Sequence, residues 1–369
     1  MQGIPIRMTD VNGCSIRYFD YGYENKKTAQ PNDCKKTLVF LHGLGASADR
    51  FLYVAPALSE YGFRVVAPDI IGFGYSNKPT ADYTIDFFIE FLEEFLESVY
   101  IDKMSIIGSS FSGLLAAEFA ARFNNRIEEL VLVAPAVSTK PATSALSLYT
   151  LAALRPTYDT VRAAFQEMAY DPSSVTHQII RDFMNRNKFK NAWLAFSRTL
   201  LGIHNLPSKF TDRLSTITAP TLLIWGDNDK VIPLQYASEY TNKIPNNRLE
   251  VIENCGHAPY IERPTKFNEI LLEFLARQKK LFDDNNRKKD KEKNKNLHQC
   301  AQCGCLVKCP ADQCYYNTNK FTIDKCKRCQ GYWNLHQCKQ CERLIECPPG
   351  HCDYDRYKFS IKCNVCRYP

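Results

Sequence analysis

The feature that most restricts the fold of this chain is the turn GSSFSG at residues 108–113. An apolar run at 104–107 precedes the turn and indicates a buried strand, and residues 114–120 after it indicate a helix. A serine on such a sharp strand-to-helix turn has its hydroxyl clear of the backbone, and small flanking residues let the two elements approach. Ser110 is therefore the candidate nucleophile, although serine is also common in ordinary turns.

A candidate acid and a candidate base follow later in the chain. Asp229 comes just after an apolar strand predicted at 221–225, and His257 comes after a second one at 249–252. A serine needs a base to take its proton, and the base needs a carboxylate to fix its tautomer. Each residue alone could be a plain loop residue, but their joint placement after strands favours a catalytic triad.

The order Ser110, Asp229, His257 is the order found in the α/β-hydrolase fold. Further motifs agree with it, namely PDIIGFGYS at 68–76 and GHAPYIERP at 256–264. On these residues the chain resembles the α/β-hydrolase superfamily. The resemblance implies an α/β fold, with a doubly wound, mostly parallel sheet and a helical cap.

The resemblance covers about residues 10–280 and implies roles for further groups. It places the oxyanion donors at the backbone amides of Leu44 and Phe111. It also favours Asp229 over the competing Asp227 as the acid, because Asp229 stands directly before the segment KVIP. No cofactor is expected for such catalysis.

Within the superfamily the chain looks most like the capped esterases and the carbon–carbon bond hydrolases. Epoxide hydrolases and haloalkane dehalogenases need an aspartate where this chain has Ser110. The expected activity is therefore that of a carboxylesterase-like serine hydrolase, acting through an acyl-enzyme on a small or apolar ester. Two alternatives stay open: carbon–carbon bond hydrolysis, and a non-catalytic ligand receptor that keeps the triad.

Composition shifts along the chain predict several segments. Strands alternate with helical patterns in the first part, a stretch without strands follows, and the end of the chain is rich in cysteine. The predicted segments are the hydrolase core at 1–137 and 214–282, the cap at 138–213, a charged linker at 283–296, and Cys-rich repeats at 297–333 and 334–369.

The net charge of +7 lies outside the predicted hydrolase core. Residues 1–282 carry 30 basic and 30 acidic side chains, the linker carries 6 and 4, and residues 297–369 carry 11 and 6. The hydrolase part thus has no excess of positive charge with which to bind nucleic acid, so nucleic acid is not an expected partner. No apolar run is long enough for a transmembrane helix, and no signal peptide is recognised, so a cytoplasmic location is expected.

The Cys-rich end is an internal repeat in which NLHQC at residue 296 recurs 38 residues later. Paired CxxC motifs at both ends of each copy predict one tetrahedral, structural zinc per copy, in a zinc-ribbon-like arrangement. A disulfide framework is the alternative. A protein partner is expected to bind this tail. The predicted ligands are Cys300, Cys303, Cys326, Cys329, Cys338, Cys341, Cys363 and Cys366, with Cys309, Cys314, Cys347, Cys352, His298 and His336 as possible further ligands.

Overall fold

The structure is a computed structural model that describes residues 5–22, 36–137, 140–206 and 212–276, together with five short strands between 297 and 347. The chain divides into two compact units, Met1–Gln278 and Lys279–Pro369. Each unit is described by itself.

The first unit is built on an eight-stranded sheet with the strand order β1-β2-β4-β3-β5-β6-β7-β8. Strand β2 pairs antiparallel with β1 and with β4, and every other pairing is parallel. This confirms the predicted doubly wound, mostly parallel sheet of the α/β class. The strands are β1 (Ile6–Val11), β2 (Cys14–Tyr21), β3 (Thr37–Leu41), β4 (Arg64–Pro68), β5 (Met104–Ser109), β6 (Ile127–Val133), β7 (Thr221–Gly226) and β8 (Asn247–Ile252).

Helices connect the strands and cover both faces of the sheet. They are α1 (Ala55–Glu60), α2 (Ile85–Ser98), α3 (Phe111–Arg122), α4 (Ser144–Leu154), α5 (Tyr158–Met168), α6 (His177–Asn187), α7 (Ala192–His204), α8 (Ser238–Thr241), α9 (Pro259–Glu262) and α10 over 264–276.

Successive residues of the central strands belong to two different hydrophobic clusters. In β7, Leu223 and Trp225 pack into the cluster that includes α2 and α3, whereas Leu222 and Ile224 pack into the cluster of α1 and α10. Side chains alternate between the two faces of a strand, so both faces of this sheet are buried. Such a sheet leaves its carboxyl-terminal edge as the place for a site.

Between β6 and β7 the described residues include the helices α4 to α7 and no strand. Three of these helices begin after a threonine whose hydroxyl accepts a backbone N–H of the first turn: Thr143, Thr157 and Thr176. Four aromatic side chains of these helices pack against one another: Tyr149, Phe165, Phe183 and Phe196. The described part of this insertion therefore has its own aromatic core.

The second unit contains a five-stranded sheet in its described residues, with the order β11-β9-β10-β12-β13. The first strands of the two repeats, β9 and β12, carry the same residues Leu-His-Gln, and β10 pairs antiparallel with both of them. The strands are β9 (Leu297–Cys300), β10 (Leu306–Lys308), β11 (Thr322–Ile323), β12 (Asn334–Gln337) and β13 (Leu344–Cys347). No helix in the described ranges of either unit is long and apolar enough to cross a membrane.

Candidate active site

Ser110 stands between β5 and α3 in a strained backbone conformation. Its φ of 56° and ψ of −123° lie in a region that residues other than glycine seldom adopt. The backbone N–H of Ser110 donates to the carbonyl oxygen of Val133 at 2.9 Å, and its own carbonyl accepts from Gly113 and Ala136, also at 2.9 Å. These bonds hold the turn in place against its strain.

Close packing around the turn explains where glycine is needed and where serine suffices. A Cβ on Gly108 would lie 2.2 Å from the carbonyl oxygen of Ser112, and a Cβ on Gly113 would lie 2.8 Å from Cβ of Pro135. Both positions therefore exclude larger residues. Ser112, in the fifth position of the motif, is fully buried, and its hydroxyl donates to the carbonyl oxygen of His42.

His257 lies in the loop after β8 and faces Asp229, which follows β7. The two atoms His257 Nδ1 and Asp229 Oδ2 are 2.7 Å apart, and both residues are buried. The other carboxylate oxygen of Asp229 accepts the backbone N–H groups of Val231 at 2.8 Å and Ile232 at 2.9 Å. Two backbone amides thus fix the carboxylate of Asp229. Because this carboxylate contacts Nδ1, the Nε2 atom of His257 remains available for proton transfer.

Asp227, the competing acid, has a different partner. One of its carboxylate oxygens accepts the backbone N–H of Cys255 at 3.1 Å and the side-chain amide of Asn228 at 2.7 Å. This residue is exposed, whereas Asp229 is buried. Asp227 therefore ties the loop after β7 to the loop after β8, while Asp229 contacts the imidazole.

The backbone amides of Leu44 and Phe111 are the expected oxyanion donors. Leu44 lies in the loop after β3, and Phe111 is the first residue of α3. In the part of the chain that the structure describes, neither amide donates a hydrogen bond. The carbonyl oxygen of Leu44 accepts from the hydroxyl of Tyr149 on α4 at 2.6 Å, so a helix of the insertion holds this loop.

His42 connects two loops at the edge of the sheet. Its Nδ1 lies 2.8 Å from the carbonyl oxygen of Gly43, and its Nε2 accepts the backbone N–H of Ile70 at 3.0 Å. Nδ1 therefore carries the proton and donates to Gly43. Complete burial lowers the pKa of His42 to about 4, so the imidazole is neutral at pH 7. His42 supports the loop that carries Leu44 and does not face the cavity.

Ser110, His257, Leu44 and Phe111 all line one cavity of about 230 Å³. Most of the wall is apolar, with contributions from α4, α5 and α7 of the insertion. No hydrogen bond joins Ser110 Oγ to His257 within the described structure, and such contacts often tighten only when substrate binds. The structure therefore brings the predicted nucleophile, base, acid and oxyanion donors together at one edge of the sheet.

Glu262 supports the histidine loop, a role that its sequence position did not predict. Its carboxylate accepts the backbone N–H groups of Gly256 at 3.0 Å, Ala258 at 3.2 Å and Tyr170 at 2.8 Å. Two of these amides flank His257, and the third belongs to the insertion. The motif GHAPYIERP contains Glu262, but an acidic residue near the start of a helix is already expected from the helix dipole. The contacts with these backbone amides could therefore not be predicted from the motif.

Most of the predicted zinc ligands lie outside the described residues. Of the fourteen, Cys300 and His298 are placed on β9, His336 on β12 and Cys347 on β13. Cys303, Cys309, Cys314, Cys326, Cys329, Cys338, Cys341, Cys352, Cys363 and Cys366 fall outside the described ranges.

Several known proteins are similar to this chain over about two thirds to three quarters of its length. A 2-hydroxy-6-oxononadienedioate/2-hydroxy-6-oxononatrienedioate hydrolase from Dechloromonas aromatica is 29% identical over 260 residues, which span 66% of this chain and 89% of the relative. A meta-cleavage product hydrolase from Pseudomonas fluorescens superimposes with a TM-score of 0.65 at 27% identity, covering 73% of this chain and 97% of that one. A membrane phospholipase A, described as a bacterial virulence factor, has a TM-score of 0.63 at 25% identity, covering 75% and 87%.

The sequence profile described as alpha/beta hydrolase fold matches residues 36–264. This span contains the strained serine, the His257–Asp229 pair and the loop that carries Leu44. The expectation drawn from the sequence motifs is confirmed: this chain belongs to the α/β-hydrolase fold family.

Proposed function

We propose that the first unit is a serine hydrolase that cleaves a small or apolar ester through an acyl-enzyme. The observation that carries this proposal is the common cavity. The strained Ser110 lines it together with His257, whose imidazole is bound to the buried carboxylate of Asp229. A strained backbone at a cavity wall is typical of functional residues.

In the proposed reaction, Nε2 of His257 takes the proton of Ser110 as Oγ bonds to the substrate carbonyl carbon. The resulting oxyanion accepts hydrogen bonds from the amides of Leu44 and Phe111, each worth about 3 kcal/mol in the transition state. His257 then returns the proton to the leaving alkoxide as the ester bond breaks. Asp229 holds the imidazole and stabilises its charged form. A water molecule then attacks the acyl-enzyme through the same steps and releases the carboxylic acid.

Carbon–carbon bond hydrolysis is the second candidate, and the relatives favour it. The hydrolase from Dechloromonas aromatica and the one from Pseudomonas fluorescens carry names of that activity. The same triad could attack a ketone carbonyl, with the proton passing to carbon in place of oxygen. The phospholipase among the structural neighbours favours ester cleavage instead.

Labelling with a fluorophosphonate tests the nucleophile. We expect the wild-type chain to be labelled at Ser110 and to hydrolyse p-nitrophenyl butyrate, and Ser110→Ala to lose both properties. Ser98→Ala is the matched control, because that hydroxyl caps the end of α2 by donating to the carbonyl oxygen of Phe95. Wild-type protein that is neither labelled nor active would favour the ligand-receptor alternative.

Comparing substrates separates the two bond types. The wild-type chain is assayed with p-nitrophenyl butyrate and with 2-hydroxy-6-oxononadienedioate. Higher kcat/KM for the ester supports the first proposal. Higher kcat/KM for the dienedioate, lost in Ser110→Ala, would replace the first proposal with carbon–carbon bond hydrolysis.

For the second unit we propose two structural zinc sites and a protein partner, in the reducing environment of the cytoplasm. This proposal is supported by the paired CxxC spacing in both repeats. Thiolates in such a compartment stay reduced and available to metal.

A further inference from the structure

The wall of the active-site cavity is positively charged. Among the described residues that line it, Arg50 and Lys140 are cationic, and none is an aspartate or glutamate. Lys140 already has a partner, since its Nζ lies 2.8 Å from Oε1 of Glu239. Of the two cations in this wall, Arg50 is therefore the one that has no direct contact with a carboxylate in the described part of the chain.

Arg50 is partly buried and stacks on an aromatic ring. Its guanidinium carbon is 5.3 Å from the ring centroid of Phe165, and no ion pair or side-chain hydrogen bond to it is found in the described ranges. The side chain also lines a second, smaller cavity of about 70 Å³, which His257, Met168 and Glu262 border as well. The carboxylate of Glu262 accepts three backbone N–H groups, and no ion pair joins it to Arg50 in the described ranges. Arg50 and His257 thus each line both cavities.

Arg186, whose guanidinium group interacts with that of Arg50, belongs to a cluster of paired charges. Arg17 lies 2.6 Å from Asp69 and 3.0 Å from Asp49, and Arg186 on α6 lies 4.0 Å from Asp49. Two arginines thus balance two aspartates, and Arg50 adds a positive charge in excess. Burial, reinforced by the neighbouring Arg50, lowers the pKa of Arg186, so the two guanidinium groups are close enough to repel.

We propose that Arg50 binds a carboxylate group carried by the substrate. This inference rests on the proposed hydrolase function and names the substrate class: an ester, or a ketone in the alternative reaction, with a second, anionic end. A guanidinium can hold a carboxylate with two parallel hydrogen bonds, and partial burial strengthens such a pair. Bound substrate would also remove the uncompensated charge from the cavity wall.

Two esters with equal acyl chains test the inference: p-nitrophenyl hydrogen adipate and p-nitrophenyl hexanoate. They differ in one terminal carboxylate. We expect Arg50→Gln to lower the ratio of their kcat/KM values, adipate over hexanoate, by about tenfold or more, and Arg50→Lys to lower it less. A loss of activity that affects both esters equally leaves the ratio of their kcat/KM values unchanged. Lys140→Gln is the matched control, and its ratio should stay within about twofold of wild type because Glu239 already pairs that lysine.

A binding measurement keeps the inference separate from the hydrolase proposal. Adipate dianion should raise the Tm of the full wild-type chain and raise that of Arg50→Gln much less. If wild type hydrolyses neither ester but adipate stabilises it through Arg50, the hydrolase proposal fails and the anion site stands. An unchanged kcat/KM ratio in Arg50→Gln, or equal stabilisation of both proteins, would overturn the role of Arg50.

Discussion

The hydroxyl of Ser112 donates a hydrogen bond to the carbonyl oxygen of His42 and thereby joins the nucleophile turn to the loop after β3. These two segments carry the proposed oxyanion donors, Phe111 and Leu44. Glycine, the usual residue at the position of Ser112 in the motif, has no hydroxyl to make this bond. In this chain a side chain therefore contributes to the distance between the two donors.

Ser112→Ala should lower kcat for p-nitrophenyl butyrate by about tenfold with a smaller change in KM. The expected reason is a small displacement of one oxyanion donor, which weakens the transition state more than the bound substrate. Steady-state kinetics with a Tm measurement checks this. Ser105→Ala is the control, because it removes a buried hydroxyl that bonds Glu129 away from the cavity. Loss of Tm without loss of kcat in Ser112→Ala would contradict the positioning role.

Asp229→Asn should reduce kcat by roughly 10⁴-fold, because an amide can bind the wrong imidazole tautomer. Asp227→Asn is the natural comparison, since that residue is two positions away and bonds the backbone of Cys255. We expect its kcat to stay within about threefold of wild type, with a modest loss of Tm. Equal losses of kcat in both variants would remove the assignment of Asp229 as the acid.

The sheet and the proposed triad could be predicted because both depend on local patterns. Short apolar runs bounded by turns indicate strands, and parallel strands bring their carboxyl ends to one edge. Ser110, Asp229 and His257 each follow such a run, so their proximity needed no knowledge of side-chain packing. In the structure, Nδ1 of His257 and Oδ2 of Asp229 are 2.7 Å apart.

The supporting contacts could not be predicted because they join residues that are distant in the chain. Tyr149 reaches the carbonyl of Leu44 across 105 positions, and Glu262 reaches the amide of Tyr170 across 92. No sequence spacing predicts either pair, because the path of the chain through the insertion determines which side chain contacts which loop. The uncompensated charge of Arg50 likewise depends on where every nearby carboxylate lies.

Stability should depend on the neutral state of His42 under acidic conditions. Its pKa is about 4 in the folded chain, below the ordinary value of 6.5, so the unfolded chain binds more protons between these two values. The free energy of unfolding therefore falls as the pH drops from about 6.5 to 4, and this group alone removes up to about 3 kcal/mol.

His42→Gln provides the measurement. This variant should be less stable at pH 7, because it loses part of the bonding to Gly43 or Ile70. Its unfolding free energy, obtained by urea titration, should fall less steeply than that of wild type between pH 6.5 and 4. Parallel pH profiles of the two proteins would show that His42 does not titrate as proposed.

The Cys-rich repeats are expected to hold zinc. If each repeat holds one zinc with four cysteines, the purified full chain should contain about two zinc ions. Cys300→Ser and Cys338→Ser should each lose about one, because a structural site needs all four ligands. Cys305→Ser is the control, since Cys305 has no counterpart in the second repeat, and its zinc content should equal that of wild type.

Zinc binding would also decide what the tail can recognise. Residues 297–369 carry 11 basic and 6 acidic side chains, a formal charge of +5 with the thiols neutral. Four thiolates around one zinc contribute −2, so two sites bring the segment to about +1, too little to attract nucleic acid strongly and better suited to a protein partner. Elemental analysis without zinc, together with paired cysteines in protein isolated under thiol-blocking conditions, would establish disulfides instead. That result would also remove the cytoplasmic assignment, because disulfides persist in oxidising compartments.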